Sequence, residues 1–270
     1  MKILECRTIR EQELLKLKNN MHKKTTLAVI QIGFFKENEI YLKAKRKLAL
    51  ELGIELIEFQ YDKDSDKEEI INKIIELNSD KEVTGIMIQK PILSKFDYQE
   101  FTNYIDYRKD VDGITKINKE RLQKKDNCII PCTVRAILMM LNNYKILIEK
   151  RKIAIIGKSE LVGMPLYYIL KDDHEVILCD SKTVNLKEVL KEVDVIISAI
   201  GRAHYFDESY FQEAQIIIDV GTNYLDGKLV GDVDFEKVKE NVSMITPVPG
   251  GIGVLTPICL FLNLTEMVSG

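Results

Sequence analysis

Residues 195–200 read Val-Ile-Ile-Ser-Ala-Ile and residues 216–220 read Ile-Ile-Ile-Asp-Val. Runs this apolar do not alternate as strands with one wet face do. They belong to strands buried on both faces, the kind that build parallel sheets covered by helices. Outward from them, strands are expected at Lys152 to Ile156, Glu175 to Cys179, 194–200 and 215–220, with helical segments between most of them.

An earlier series has the same alternation. Thr26 to Ile32 is a strand, and a helix is expected from Asn38, a fitting N-cap, to Gly53. A strand at 54–59 follows, then a capping box of Ser65 and Glu68 opens a helix whose Ile70, Ile71, Ile74 and Ile75 form one stripe. A strand at 83–89 closes this series, and a helix at about 133–143 leads into the second. The sequence therefore predicts two doubly wound α/β domains joined near residues 130–145.

The chain has 270 residues, of which 46% are apolar, enough for two cores. Lysine and arginine (39) nearly balance aspartate and glutamate (42), so no basic excess points to nucleic acid. The five cysteines (Cys6, Cys128, Cys132, Cys179, Cys259) are odd in number and form no CxxC pair. With only His22, His174 and His204 to join them, a structural metal is not expected, and a reducing cytoplasm is. The N-terminus turns charged by Glu5 and lacks a signal-peptide core. The apolar stretch 250–264 is too short for a membrane span, opens with glycines and contains Pro257, so it reads as a loop feeding a buried helix.

The second series opens with Ile153-Ala-Ile-Ile-Gly157-Lys158-Ser159-Glu160-Leu161-Val162-Gly163. A strand running into a glycine turn and then a helix aims backbone N–H groups at a pyrophosphate. The spacing is not GxGxxG: Ser159 stands at the second glycine, and the last glycine comes one residue late. A plain tight turn is the competing reading; the position at the first strand of a Val/Ile-rich parallel series favours a dinucleotide. Asp180 ends the next strand, 23 positions after Gly157, where an acidic residue meets ribose hydroxyls and favours NAD. Lys158, Ser159, Ser181 and Lys182 can equally hold a 2′-phosphate, and the choice stays open.

In the first series the helix carries Tyr41 and Lys45 four residues apart, so phenol and amine project from one face. Gln89, from Ile88-Gln89-Lys90-Pro91, and Asp112, from Lys109-Asp110-Val111-Asp112-Gly113, add an amide and carboxylates from other elements. Each has a plain alternative. Tyr41 and Lys45 can belong to a solvated face with Lys43 and Lys47, and Asp110 and Asp112 can be turn formers. Cys132 and Thr133 read as packing and capping before the linking helix, and the three histidines as surface or loop residues.

The ordered set YLKAKRK, IQKP, KDVDG, PCT, GKSELVGMP, CDSKT, GTNY, DGKLVGDVDF and TPVPGGIG resembles the bifunctional methylenetetrahydrofolate dehydrogenase/methenyltetrahydrofolate cyclohydrolase family along nearly the whole chain. The resemblance implies a folate-binding catalytic domain at 1–140, with 254–270 packing back on it, and a Rossmann-type NAD(P)-binding domain at 141–253. It also implies hydride transfer from 5,10-methylenetetrahydrofolate to a nicotinamide cofactor, NADP by family habit, then hydrolysis to 10-formyltetrahydrofolate. The family's catalytic lysine falls on Lys45, its tyrosine on Tyr41, its glutamine on Gln89 and its pterin-gripping aspartate on Asp112. The loop with Pro247, Pro249, Gly250, Gly251 and Gly253 is placed against folate, and Gly157, Lys158, Ser159, Gly163, Asp180, Ser181 and Thr222 against the cofactor. A homodimer through the cofactor domain is implied as well.

Those residue types suit the chemistry. A lysine facing a cationic product in a cleft is pushed toward its neutral form, and a neutral amine accepts a proton from attacking water. Gln89 can bond that amine without adding charge. Departures from the family pattern fall on Asn38, Lys90, Val134, Ala136, Lys158, Asp180, Thr222, Val254 and Leu255; they touch cofactor preference and the balance of the two activities. Two other readings remain: a folate- or nucleotide-binding protein without turnover, and an α/β dehydrogenase for another small substrate.

Overall fold

In the computed structural model, residues 1–20 and 24–269 are described, so His22 lies outside the described residues. The strands run β1 (Lys2–Ile3), β2 (Thr26–Ile32), β3 (Glu55–Tyr61), β4 (Gly85–Gln89), β5 (Lys152–Ile156), β6 (Glu175–Cys179), β7 (Val195–Ser198), β8 (Ile216–Asp219), β9 (Asn223–Leu225), β10 (Lys228–Val230) and β11 (Met244–Ile245). The chain divides into two compact units. One comprises residues 13–132 with 257–270, the other residues 1–12 with 133–256.

In the first of these, β3, β2 and β4 form a parallel sheet in that order. All seven residues of β2 are buried, as an unbroken apolar strand between two parallel neighbours requires. Helix Lys67–Ser79 crosses from β3 to β4 and buries Ile70, Ile71, Ile74 and Leu77. Ile75, expected in that stripe, is 47% exposed, and Leu77 takes the place on the inward face. The cap of this helix is Asp66, whose side chain accepts the Glu68 N–H; Ser65 instead closes a turn with Asp62.

Helix Lys36–Leu52 starts two residues before the expected N-cap. Asn38 is therefore inside the helix, where its buried side chain donates to the Pro91 carbonyl at 3.0 Å. Gly53 ends the helix in the left-handed conformation (φ 68°), with its N–H on the Ala49 and Leu50 carbonyls.

In the other unit a six-stranded sheet has the order β1-β11-β8-β7-β5-β6, parallel throughout. The order reverses around β5, the first strand of the series, which is the doubly wound arrangement expected. The N-terminal residues Lys2 and Ile3 pair with Met244 and Ile245 at the sheet's edge. Residues 1–12 thus pack with the second series, a division different from the boundary drawn at 140, because a short edge strand finds its backbone partners on β11. The hairpin β9–β10 is a separate two-stranded ribbon.

Candidate active site

Tyr41 and Lys45 leave the helix Lys36–Leu52 on one face, with the Lys45 Nζ 6.0 Å from the centre of the Tyr41 ring. Tyr41 is 37% exposed and Lys45 is half-buried. The Lys45 Nζ donates to Gln89 Oε1 at 2.8 Å, and Gln89 Nε2 donates to the Lys90 carbonyl at 2.7 Å. The second bond fixes the orientation of the amide, so that its oxygen and not its nitrogen meets the amine. Gln89 ends β4 and is itself buried, which makes this a held contact and not a surface encounter.

Burial lowers the pKa of Lys45 from its ordinary value, against opposing pulls from Asp112 and Cys132. Asp112 shows the converse: burial pushes its carboxyl up, while the nearby Cys132 thiol and the charges of Lys45 and Lys90 hold it down. Asp110 is the turn former of the same loop. Its Oδ2 accepts the Thr115 N–H and the Asn118 Nδ2–H, both at 2.8 Å. Of the two aspartates, one therefore builds the loop and the other faces the amine's field.

Lys90 lies with its Nζ 3.9 Å from the centre of the Tyr98 ring. Burial and the charge of Lys119 lower its pKa, while Asp112 and Asp97 raise it. Tyr98 carried no motif, because it comes from the short helix Tyr98–Thr102, which only the fold brings beside β4. Cys132, assigned to packing, is buried, and its thiol donates to the Val111 carbonyl at 3.6 Å.

In the other unit the strand register sets Ile156 beside Cys179, so the residues that follow, Gly157-Lys158 and Asp180, emerge side by side. The Lys158 Nζ lies 2.9 Å from Asp180 Oδ2, and Asp180 Oδ1 accepts the Lys182 N–H at 2.9 Å. The Lys158 ammonium beside it holds the Asp180 carboxyl below the usual range. Ser159 Oγ accepts the Val162 N–H at 3.2 Å, and Ser181 is exposed in the turn after β6.

The late glycine has a physical account. A Cβ on Gly163 would stand 1.8 Å from the Gly157 carbonyl oxygen, so only glycine opens the helix Gly163–Leu170 against this turn. Gly157 itself has φ 107°. The pair makes a bare backbone cradle at a helix start, which fits a pyrophosphate.

Thr222 is exposed just beyond β8; Pro249, Gly250 and Gly251 lie in the loop after β11, where the Gly250 carbonyl accepts the Cys6 N–H at 3.0 Å, and Gly253 lies in the short 3-10 helix Ile252–Val254 that follows. Two buried carboxylates wire the neighbouring loops, and neither was singled out from sequence. Asp232 accepts Ser198 Oγ–H and the N–H groups of Ile200 and Arg202; Asp219 accepts the N–H groups of Gly221, Asp232 and Val233. Among the described residues no group of three or more His, Cys, Asp or Glu side chains is placed to hold a metal ion.

Residues 4–112 match the tetrahydrofolate dehydrogenase/cyclohydrolase catalytic domain, and residues 131–270 match the NAD(P)-binding domain of the same family. The bifunctional protein FolD of Clostridium novyi is 38% identical over 257 residues, covering 95% of this chain and 92% of that protein. The crystal structure of bifunctional FolD from Campylobacter jejuni superposes with a TM-score of 0.96 at 32% identity, covering 100% of this chain and 99% of that one. The corresponding bifunctional dehydrogenase/cyclohydrolase from Thermoplasma acidophilum gives 0.94 at 30% identity, with 99% and 98% covered.

Proposed function

The chain belongs to the tetrahydrofolate dehydrogenase/cyclohydrolase family, and from that premise we propose how its residues divide the work. It oxidises 5,10-methylenetetrahydrofolate to 5,10-methenyltetrahydrofolate with NAD(P)+ and hydrolyses the product to 10-formyltetrahydrofolate. Lys45, Tyr41, Gln89 and Asp112 hold and transform the folate. Gly157, Lys158, Ser159, Gly163, Asp180, Ser181 and Thr222 hold the dinucleotide, and Pro249, Gly250, Gly251 and Gly253 contribute backbone to the folate. The unit with residues 13–132 is then the folate-binding one, and the unit with 133–256 the cofactor-binding one.

Bound NAD(P)+ supplies the acceptor for the hydride that leaves the methylene carbon. That transfer asks the protein for orientation and no acid or base. Tyr41 offers a ring and a hydroxyl beside the folate, and the Asp112 carboxylate offers paired acceptor oxygens to the pterin amino group and ring N–H. Hydrolysis does ask for a base. Methenyltetrahydrofolate is a cation, and a second positive charge on Lys45 opposes its binding, adding to the burial that already favours the neutral amine.

The neutral amine gives one N–H to Gln89 Oε1 and keeps its lone pair for the water that attacks the methenyl carbon. As the carbon–oxygen bond forms, the water proton passes to Lys45. When the bond from that carbon to N5 breaks, the same proton goes to N5, and the hydroxyl proton leaves as the formyl carbonyl forms. The balance is one water consumed and one proton released.

The observation that carries this reading is the 2.8 Å contact between Lys45 and an amide whose orientation is fixed by the Lys90 carbonyl. Its test is an assay with 5,10-methylenetetrahydrofolate and NAD+ or NADP+, following reduced nicotinamide and methenyl absorbance separately. Lys45→Met should abolish hydrolysis while reducing hydride transfer far less; equal loss of both would remove Lys45 as the base.

Two further parts of the reading concern the whole molecule. The free cysteines support a reducing cytoplasm, and no helix among the described residues is long and apolar enough to cross a membrane. A homodimer through the cofactor-binding unit is supported by Tyr224 and Leu225, 51% and 43% exposed on the β9–β10 ribbon. Sedimentation of the intact chain against Tyr224→Glu tests it: a monomeric variant is expected, and a monomeric unaltered chain would end the proposal.

A further inference from the structure

In the six-stranded sheet β5 has β6 on one side and β7 on the other. The strand order reverses there, so the ends of β5 and β7 bound the crevice in which open parallel sheets take their ligands. The segments that leave these two strands touch. The Ala199 N–H donates to the Ile156 carbonyl at 2.9 Å, and a Cβ on Gly157 would stand 2.5 Å from the Ala199 carbonyl oxygen.

Arg202 comes three residues after that contact, on a path that is fixed. Asp232 Oδ2 accepts the Ile200 N–H and Oδ1 the Arg202 N–H, both at 2.8 Å, with Gly201 bending the chain between them at φ 66°. Asp232 is wholly buried, and Ser198 Oγ and Asn223 Nδ2 also donate to it, at 2.9 and 3.1 Å. The main chain at Arg202 is therefore tied to the floor of the sheet.

The side chain is held differently. The guanidinium carbon of Arg202 lies 4.1 Å from the centre of the Tyr205 ring, and Tyr205 packs edge-on against the buried Phe206. A ring beside a guanidinium steadies it without consuming its fork of N–H donors. Among the described residues no carboxylate lies within ion-pair distance of Arg202. Lys158, the cation on the glycine turn itself, is already 2.9 Å from Asp180.

We propose that Arg202 is a further cofactor-binding residue, whose guanidinium meets the diphosphate of the dinucleotide. This rests on the dinucleotide reading of the glycine turn. A diphosphate above that turn receives main-chain N–H groups from the Gly157 side and a charged fork from the β7 side, and the fork matches two phosphate oxygens. A 2′-phosphate is the poorer fit. The ribose that would carry it is assigned to Asp180 and Lys182 after β6, and β5 stands between that strand end and the end of β7.

The test is calorimetric titration of the whole chain with NAD+ and with NADP+, for the unaltered protein, Arg202→Ala and Arg202→Gln. Losing a hydrogen-bonded charge should weaken both dinucleotides roughly tenfold in Arg202→Ala, leaving their ratio unchanged. Arg202→Gln keeps a polar stem without the charge and should lose as much. Raising KCl should weaken binding to the unaltered chain more steeply than binding to either variant, because salt screens an exposed cation. Arg202 is exposed, so both variants should fold, and their melting temperatures check it.

Unchanged affinity in Arg202→Ala would overturn the proposal. A loss confined to NADP+ would do so too, by moving the contact to the 2′-phosphate, as would full affinity in Arg202→Gln or parallel salt curves. Failure of the unaltered chain to bind either dinucleotide would overturn the cofactor reading and this inference with it.

Discussion

The Lys45 amine donates to Gln89 Oε1 while the other end of that amide is held by the Lys90 carbonyl, so Lys45 meets a neutral acceptor that cannot turn around. The charge of the acceptor is what matters. Gln89→Glu would put a carboxylate within 2.8 Å of the amine, in a position the structure already defines. The ammonium form would be stabilised, and hydrolysis at neutral pH should fall by about tenfold or more, since an adjacent opposite charge moves a pKa by one to three units. Rates measured from pH 6 to 10 should show activity returning as pH rises. A uniform loss across that range would mean that the amide acts otherwise.

Lys158 and Asp180 are 42% and 32% exposed, so their pairing adds little stability. Its consequence is for the ribose. Asp180→Ser frees the Lys158 ammonium and removes a negative charge that opposes a 2′-phosphate. The ratio of kcat/KM for NADP to that for NAD should rise roughly tenfold, the worth of one charge-assisted contact, with the melting temperature nearly unchanged. An unaltered ratio would place Asp180 outside the ribose pocket.

Gly163→Ala tests the glycine turn. The new carbon would have to displace the Gly157 carbonyl from 1.8 Å, which is a backbone movement and not a rotamer change. A loss of about 2 kcal/mol or more is expected from such a clash. Denaturant unfolding should report it, together with weakened dinucleotide binding.

The buried Asp219 gives a pH signature. Burial raises its carboxyl to about 7, outweighing the N–H groups of Gly221, Asp232 and Val233 that favour the charged form. A folded pKa above the unfolded one means that its contribution to stability is fully present below the unfolded value of 3.8 and is lost as pH rises through about 7. Asp219→Asn keeps an uncharged side chain in this position at every pH, so it removes that titration. Its melting temperature should fall less than that of the unaltered chain between pH 4 and 8. Parallel curves would contradict the assignment.

The parallel sheets were legible because an unbroken run such as the one in β2 has few alternatives to burial on both faces. Tyr41, Lys45, Gln89 and Asp112 were legible as motif positions, and the structure places Lys45 against Gln89 and within the field of Asp112. The helix start at Asn38 was misread because a good capping residue can serve inside a helix when its side chain finds another acceptor, here the Pro91 carbonyl. The contacts of Asn263, buried on the helix Thr256–Ser269, were not legible at all: its Nδ2 donates to the Val111 and Ile130 carbonyls and lies 3.5 Å from the Cys132 sulfur. They join residues 131 or more apart, and no local pattern marks a buried amide whose acceptors are main-chain carbonyls.

The chain passes between its two compact units three times, after residues 12, 132 and 256. Neither unit is a continuous segment, so no single cut in the gene yields an intact half. A fragment stopping at 256 would leave the carbonyls of Val111 and Ile130 without their amide and Gly85 without the Leu264 side chain that lies against it. During synthesis, the loop bearing Asp112 must wait for the final helix to leave the ribosome before it can settle.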